Sequence, residues 1–312
     1  MKKIRVAIVG CGQFGIGSSK LNFNNPNHFK VIKNINKFEL ISLCDLSHKN
    51  LKNKIFNKYT KYKKIEDLLK KEFLDMVIIA TSNESHFKII KECQKYNINY
   101  IICEKPIVNK FSDLKKIINL DYNNIITNFS RRYLNEYLFL KKNYIQYLKK
   151  VNSFTITFNR GLINNGSHYF DLIEWFFGNS CKIKSAILYK SKFIKNDFFG
   201  NISIETKDKT LVNLFILDEK NVSYENIKFI GSGGIIEIQN NYFIKFYNFL
   251  NDYNKNIFAQ PKLKWIKKIN SSSALEKFYN KLIQNKVQTY KLKKNLFYFI
   301  LKRIEDNQKY EI

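Results

Sequence analysis

The chain has 312 residues, 45% of them apolar and 15% aromatic, and a net charge of +28. The length suits two domains, since single cores stop growing at a few hundred residues, and the apolar content excludes a mainly disordered chain. No apolar run approaches the roughly 18–20 residues that cross a bilayer, so no transmembrane helix and no membrane partner are expected.

The chain opens Met1-Lys2-Lys3 and continues into an apolar run. Glycines interrupt that run and no small-residue cleavage site follows it, so it reads as a first strand at residues 4–9 with no export. Further buried strands are expected at 38–44, 76–80, 100–103 and 125–129. A lysine-rich helix ends at 68–73, and helices follow at 87–95 and 110–120. Continuous apolar strands alternating with amphipathic helices predict a parallel sheet covered on both faces. After about residue 130 the pattern changes. Residues 134–149 read as a helix carrying Leu138, Leu140, Tyr144 and Leu148 on one stripe. Alternating runs at 151–158, 181–189, 202–206, 211–217, 224–230, 234–238 and 242–247 predict an antiparallel sheet with one open face. Helices are expected near 168–177 and 274–284, and residues 248–273 read as a polar, irregular surface excursion. The fold class is therefore an α/β N-terminal domain with a parallel sheet, residues 1–130, followed by an α+β domain with an open, mostly antiparallel sheet, residues 131–312.

The first strand ends in Gly10-Cys11-Gly12-Gln13-Phe14-Gly15. In such a G-x-G-x-x-G turn the first glycine permits the tight turn and the second lets the backbone approach a pyrophosphate. The third lets helix pack on strand. Asp45 ends the second strand, where a carboxylate accepts hydrogen bonds from ribose hydroxyls and repels a 2′-phosphate. It lies thirty residues past Gly15, against a usual spacing of about 20. The excess is assigned to an inserted loop at 16–27 before a short helix. NAD is preferred over NADP, with Ser47 and Lys49 available to receive a 2′-phosphate.

Thr81-Ser82-Asn83-Glu84-Ser85-His86 follows another strand end, where ligands bind in open parallel sheets. Asn83 and His86 either contact a ligand there or cap the next helix. Cys103-Glu104-Lys105-Pro106 follows a third strand, and the Lys105 ammonium could polarise a carbonyl or stabilise an alkoxide. In the second half, Asn164, His168 and Asp171 are one helical turn apart and can face one way. The four histidines are His28, His48, His86 and His168. An imidazole at 168 can remove a hydroxyl proton as hydride leaves the same carbon. Asp171 is read as an orienter or a packing partner. Arg131, Arg132 and Arg160 are either contacts for an anionic substrate or structural ion pairs.

The five cysteines, Cys11, Cys44, Cys93, Cys103 and Cys181, form no C-x-x-C pair. No disulfide framework and no metal site are expected, and a reducing cytoplasm fits. The positive charge is nearly all lysine, spread from Lys2 to Lys309 without a basic block, in a chain with only five alanines. An AT-rich coding sequence produces that composition, so no nucleic-acid partner is expected, although charge alone keeps a nucleic-acid binder as a rival reading.

Together these motifs resemble the Gfo/Idh/MocA family of nucleotide-dependent oxidoreductases over nearly the whole chain. The resemblance rests on the glycine loop with Asp45, the segment 81–86, Glu104-Lys105-Pro106, and the segment Asn164 to Asp171. It implies an N-terminal Rossmann domain, and association into a homo-oligomer, dimer or tetramer, through the outer face of the second sheet. It also implies a cis bond before Pro106 and cofactor contacts from Gly10, Gly12, Gln13, Phe14, Gly15, Asp45, Thr81, Asn83, His86, Glu104 and Lys105. The catalytic residues it implies are Lys105, His168 and Asn164. Asn164 stands where many sugar and inositol dehydrogenases have Asp, and an amide cannot accept a proton as a carboxylate does. The segment 164–168 looks more like members associated with bacterial surface polysaccharides. The expected activity is NAD-dependent hydride transfer at a secondary alcohol or ketone of a sugar or nucleotide sugar. The alternative is a catalytically silent family member that only binds a nucleotide.

Overall fold

The computed structural model describes residues 2–17, 26–52, 54–118, 124–219, 221–250, 259–284 and 296–308. Contacts divide the chain into two compact units. Residues up to Ser130 join 272–284 and 298–308 in the first, and residues from Arg131 to Ser271 join 296–297 in the second.

The first unit contains β1 (Ile4–Val9), α1 (His28–Asn34), β2 (Phe38–Cys44), β3 (Thr60–Tyr62), α2 (Ile65–Lys71), β4 (Met76–Ile79), α3 (Asn83–Cys93), β5 (Tyr100–Cys103), α4 (Phe111–Ile118) and β6 (Ile125–Thr127). All six strands run parallel, in the order β3-β2-β1-β4-β5-β6. Met76, Val77, Ile78 and Ile79 are all fully buried. Helices cover both faces, so consecutive residues, not alternate ones, must be apolar. The strand order reverses between β1 and β4, which opens a crevice at the carboxyl ends of those two strands. The three-residue β3 was not expected; an edge strand so short carries no apolar run to read.

The glycine loop explains the long spacing to Asp45. The Ile16 and Gly17 amides both donate to the Gly12 carbonyl, at 3.0 and 3.1 Å, so the loop enters one helical turn. The His28 amide then donates to the Phe14 carbonyl and the Phe29 amide to the Gly15 carbonyl, at 3.1 and 2.8 Å. Thus α1 stacks on that turn and completes a helix interrupted by an insertion. Most of the insertion, residues 18–25, lies outside the described residues. Asn27 caps α1 by accepting the Lys30 amide at 2.9 Å.

The second unit contains α5 (Asn135–Leu148), β7 (Val151–Phe158), α6 (Gly166–Phe177), β8 (Lys182–Lys190), β9 (Phe198–Glu205), β10 (Leu211–Ile216), β11 (Glu225–Gly231), β12 (Gly234–Gln239), β13 (Phe243–Leu250) and β14 (Gln260–Lys268). The eight strands order as β14-β13-β12-β11-β7-β10-β9-β8, antiparallel except for the β7–β10 pair. Alternation holds where one face is covered: Phe154, Ile156, Phe158, Val212, Leu214, Ile227, Phe229, Ile236 and Ile238 form the core. On the opposite face Ile187, Tyr189, Leu211, Phe215, Leu263 and Ile266 stay exposed.

Two expectations are corrected. Residues 248–273 are not an irregular excursion, because β13 runs to Leu250 and β14 spans Gln260–Lys268. Lysines at 262, 264, 267 and 268 on an edge strand hide its alternation. A second domain continuous to residue 312 is also not observed. Helix α7 (Ala274–Ile283) belongs to the first unit, where the Tyr279 ring meets the Phe38 ring edge-on at 5.5 Å. Helix α8 (Leu296–Gln308) was not anticipated, although Leu296, Phe297, Ile300, Leu301 and Ile304 form its buried stripe.

Candidate active site

A cavity of about 770 Å³ opens in the first unit at the crevice between β1 and β4. Gly10, Gly12, Asp45, Asn50, Thr81 and Ser85 help to line it. The glycines differ in what they require. Gly10 has φ +93°, and a Cβ there would lie 2.6 Å from the Ala80 backbone. A Cβ on Gly15 would lie 1.9 Å from the Gly10 carbonyl oxygen. At Gly12 a Cβ meets nothing within 4 Å, so that backbone borders open space. Two glycines therefore build the loop, and the third leaves room beside it.

Asp45 closes the cavity. One carboxylate oxygen accepts the Cys11 amide at 2.6 Å and the Asn50 side-chain amide at 3.0 Å. The other accepts the Ser47 amide at 2.7 Å. An acceptor fixed beside an open glycine turn is a donor–acceptor set that fits the ribose and pyrophosphate of a dinucleotide. Lys63, Lys64 and Lys88 line the cavity together with Glu66 and Asp67. Of the expected cofactor residues, the cavity brings together Gly10, Gly12, Asp45 and Thr81. Gln13, Phe14, Gly15, Asn83, His86, Glu104 and Lys105 do not line it, and Phe14 is 64% exposed.

Residues 81–86 and 104–106 form one connected structure. Ser82 is the N-cap position of α3, and the Ser85 hydroxyl donates to Thr81 Oγ1 at 2.7 Å. Neither Asn83 nor His86 is the cap. His86 is 1% exposed, with Nδ1 2.9 Å from the Pro106 carbonyl and Nε2 3.2 Å from that of Thr81. Burial pushes its pKa down, against the pull of both carbonyls. His86 thus ties the two strand ends together. The Lys105–Pro106 bond is cis.

Glu104 belongs to a network that sequence reading missed. His28 Nε2 lies 3.1 Å from Glu104 Oε1, His28 Nδ1 lies 2.6 Å from the Tyr279 hydroxyl, and the Asn128 amide donates to Glu104 Oε1 at 3.1 Å. Burial opposes charge on Glu104, but His28, Asn128 and Lys105 outweigh it and hold the carboxyl below the ordinary range. The available signal was His28 itself, one of only four histidines, placed where the insertion ends.

In the second unit, Asn164 lies in the loop before α6 and His168 in its first turn. The loop is held by Asp197, a residue without sequence motif. Its carboxylate accepts the Ile163 and Phe198 amides at 2.7 Å each and the Asn164 amide at 3.0 Å. Asp197 is 4% exposed; burial pushes its pKa up despite these donors. Gly161, at φ +82°, leaves that carboxylate its space, since a Cβ there would lie 2.2 Å from it.

Asp171 pairs with Arg132, whose Nε–H is shared between Oδ1 at 2.9 Å and Oδ2 at 2.8 Å while Nη2 donates to the Asp171 carbonyl at 3.3 Å. Arg131 pairs with Glu225, which also accepts the Tyr169 hydroxyl at 2.6 Å. Both arginines therefore have structural partners. Arg160 is exposed at φ +70°. Cys11, Cys44, Cys93 and Cys103 are buried, Cys181 is half-buried, and burial pushes all five thiols up. No disulfide is formed among these cysteines, and no group of His, Cys, Asp and Glu among the described residues could hold a metal ion. No described helix is long and apolar enough to cross a membrane.

A parallel sheet in this order, with a glycine turn opening on a carboxylate-closed cleft, has the form of a dinucleotide-binding unit. Residues 4–123 match the model of the GFO_IDH_MocA oxidoreductase family, NAD-binding Rossmann fold. The inositol 2-dehydrogenase of Salmonella typhimurium is 26% identical over 175 residues, 53% of this chain and 46% of that protein. The chain thus spans about half the length of the curated relatives it matches. Among solved structures, KijD10, a 3-ketoreductase from Actinomadura kijaniata in complex with TDP-benzene and NADP, has a TM-score of 0.71 at 14% identity, with 92% of each chain covered. An oxidoreductase from Agrobacterium radiobacter in complex with NAD+, L-tartaric acid and magnesium has a TM-score of 0.68 at 16% identity, covering 96% of this chain and 94% of that one. At those identities the likeness shows the fold.

Proposed function

We propose that the chain is a cytoplasmic nicotinamide-dependent oxidoreductase that moves a hydride between NAD(H) and a secondary alcohol or ketone of a sugar or nucleotide sugar. The observation that carries this reading is the Asp45 carboxylate, anchored on the Cys11 amide beside the open face of Gly12. The bound dinucleotide supplies the hydride acceptor or donor. Asp45 accepts from ribose hydroxyls, the amides near Gly12 receive the pyrophosphate, and Asp45 repels a 2′-phosphate, which favours NAD over NADP. His168 takes or returns the hydroxyl proton, Lys105 stabilises charge on the reacting oxygen, and Asn164 orients substrate by hydrogen bonding alone. The names of the relative and of the 3-ketoreductase support a polyol or sugar substrate. A role in surface-polysaccharide synthesis fits the segment 164–168. The exposed apolar face of the second sheet fits a homo-oligomer contact. The amide at 164 favours a second reading, a silent member that binds NADH and exchanges no hydride.

Thermal stabilisation by NADH and by NADPH, measured separately, tests the reading. A ligand that binds the folded state stabilises it by RT ln(1 + [L]/Kd). Stabilisation by NADH, stronger than by NADPH and reversed in preference by Asp45→Asn, is expected. No stabilisation by either cofactor overturns the reading. Given a substrate, Lys105→Ala and His168→Ala should each lower kcat/KM about a hundredfold or more; wild-type turnover by both variants removes their assigned roles.

A further inference from the structure

The second unit holds a cavity that the proposed reaction does not use. Its volume is about 660 Å³, within the roughly 300–1,000 Å³ typical of small-molecule sites. It forms where the end of α5 meets the β11–β12 turn and the covered face of β13 and β14. Its wall is aromatic. The Tyr147 and Phe246 rings are 4.8 Å apart, and Trp265 lies 5.5 Å from Tyr147 and 5.7 Å from Phe246. Tyr147 and Trp265 are half-buried, so part of each ring remains accessible. Lys149 and Lys264 also line the cavity, both exposed, and among the described residues no acidic side chain does.

The backbone holds this arrangement rigidly. The Ser232 amide donates to the Lys150 carbonyl and the Gly233 amide to that of Leu148, each at 3.0 Å. A Cβ on Gly231 would lie 2.3 Å from the Leu148 carbonyl oxygen, and one on Gly233 would lie 2.5 Å from that of Tyr147. The turn is thus clamped on the end of α5. Lys149, just past that end, takes φ +56° and ψ −107°, a strained conformation for a residue with a side chain. Nearby, Lys267 already sits 4.0 Å from the centre of the Phe139 ring, a cation on an aromatic face.

An aromatic wall with two cations and no described anion selects an aromatic ring that carries negative charge. We propose that this cavity binds a nucleoside 5′-diphosphate, with its base stacked on Trp265 and edge-on to Tyr147 and its phosphates on Lys149 and Lys264. The site lies wholly in the second unit and is separate from the glycine-loop cleft.

Only Trp175 and Trp265 are tryptophans, so Trp175→Phe leaves Trp265 as the sole indole reporter. Titrating that full-length variant with ADP should quench the emission saturably. Lys149→Glu with Lys264→Glu should weaken the affinity about tenfold or more. Both lysines are exposed, so the reversal should leave the melting temperature in place, which a thermal scan checks. Gly12→Val fills only the first-unit cleft and should leave the quench unchanged. No quench by about 1 mM ADP, a barely binding Kd, overturns the proposal. Equal quenching by adenosine overturns it, as does a quench abolished by Gly12→Val but retained in the lysine reversal.

Discussion

The glycine loop of the first unit and the 161–168 segment of the second are held by opposite means. Around Gly10 and Gly15 the chain passes so close to itself that no side chain fits, and backbone sterics set the geometry. Around Asn164 the chain leans on Asp197, whose buried carboxylate gathers three amides. One loop excludes atoms and the other depends on a particular charged group. The first design tolerates no larger residue at its crossing points. The second tolerates no loss of an acceptor.

Substitutions should separate these designs. Gly15→Ala has the largest expected effect, a loss of about 3 kcal/mol or more of unfolding free energy, because its contact is backbone and cannot swing away. Urea denaturation reads it, and a loss under about 1 kcal/mol would mean the loop shifts freely. Asp197→Ala leaves three amides without their acceptor and should cost about 3 kcal/mol, about 1 kcal/mol for each, the low end for an unpaired group because two of the three bonds are only part-buried. Asp197→Asn retains one acceptor oxygen and should cost less; equal losses would show that charge, not hydrogen bonding, holds the segment.

A pH effect should follow from α6, the helix this loop enters. Glu174 is buried, accepts the Leu296 amide, and has its pKa pushed up to about 8, chiefly by burial. The folded state then keeps a proton that the unfolded chain releases above the ordinary carboxylate pKa of about 4.3. Stability should therefore fall as pH rises from about 4.3 to about 8 and level off beyond. Glu174→Gln should flatten that part of a melting-temperature profile, and an unchanged slope would assign it elsewhere. The smallest stability effect belongs to Gly12→Ala, expected within about 0.5 kcal/mol of wild type because nothing lies within 4 Å of the added carbon. The same variant should lose stabilisation by NADH. Retained stabilisation would move the pyrophosphate away from Gly12.

Most of the first sheet was legible because strands buried on both faces appear as continuous apolar runs, as in residues 76–79. The second sheet was legible wherever alternation was clean, as in β7, β10 and β11. It failed at β14, where lysines occupy both inward and outward positions. The cleft's glycines and Asp45 could be read because each follows a strand end by a fixed local offset. Asp197, His28 and Tyr279 could not, because no local pattern announces a partner elsewhere in the chain.

Sequence alone therefore determined the parallel sheet, the glycine turn, the carboxylate that closes the cleft and the open second sheet. These follow from short-range sterics and from the two- and 3.6-residue periods of apolar burial. Only the tertiary structure decided that α7 packs with the first unit, that Asp197 holds the Asn164 loop, and that His28 links Glu104 to Tyr279. Those contacts join residues 34, 76 and 251 positions apart. A hydrogen bond at such separations depends on where the topology brings the chain back, and that is set by the packing of the whole fold.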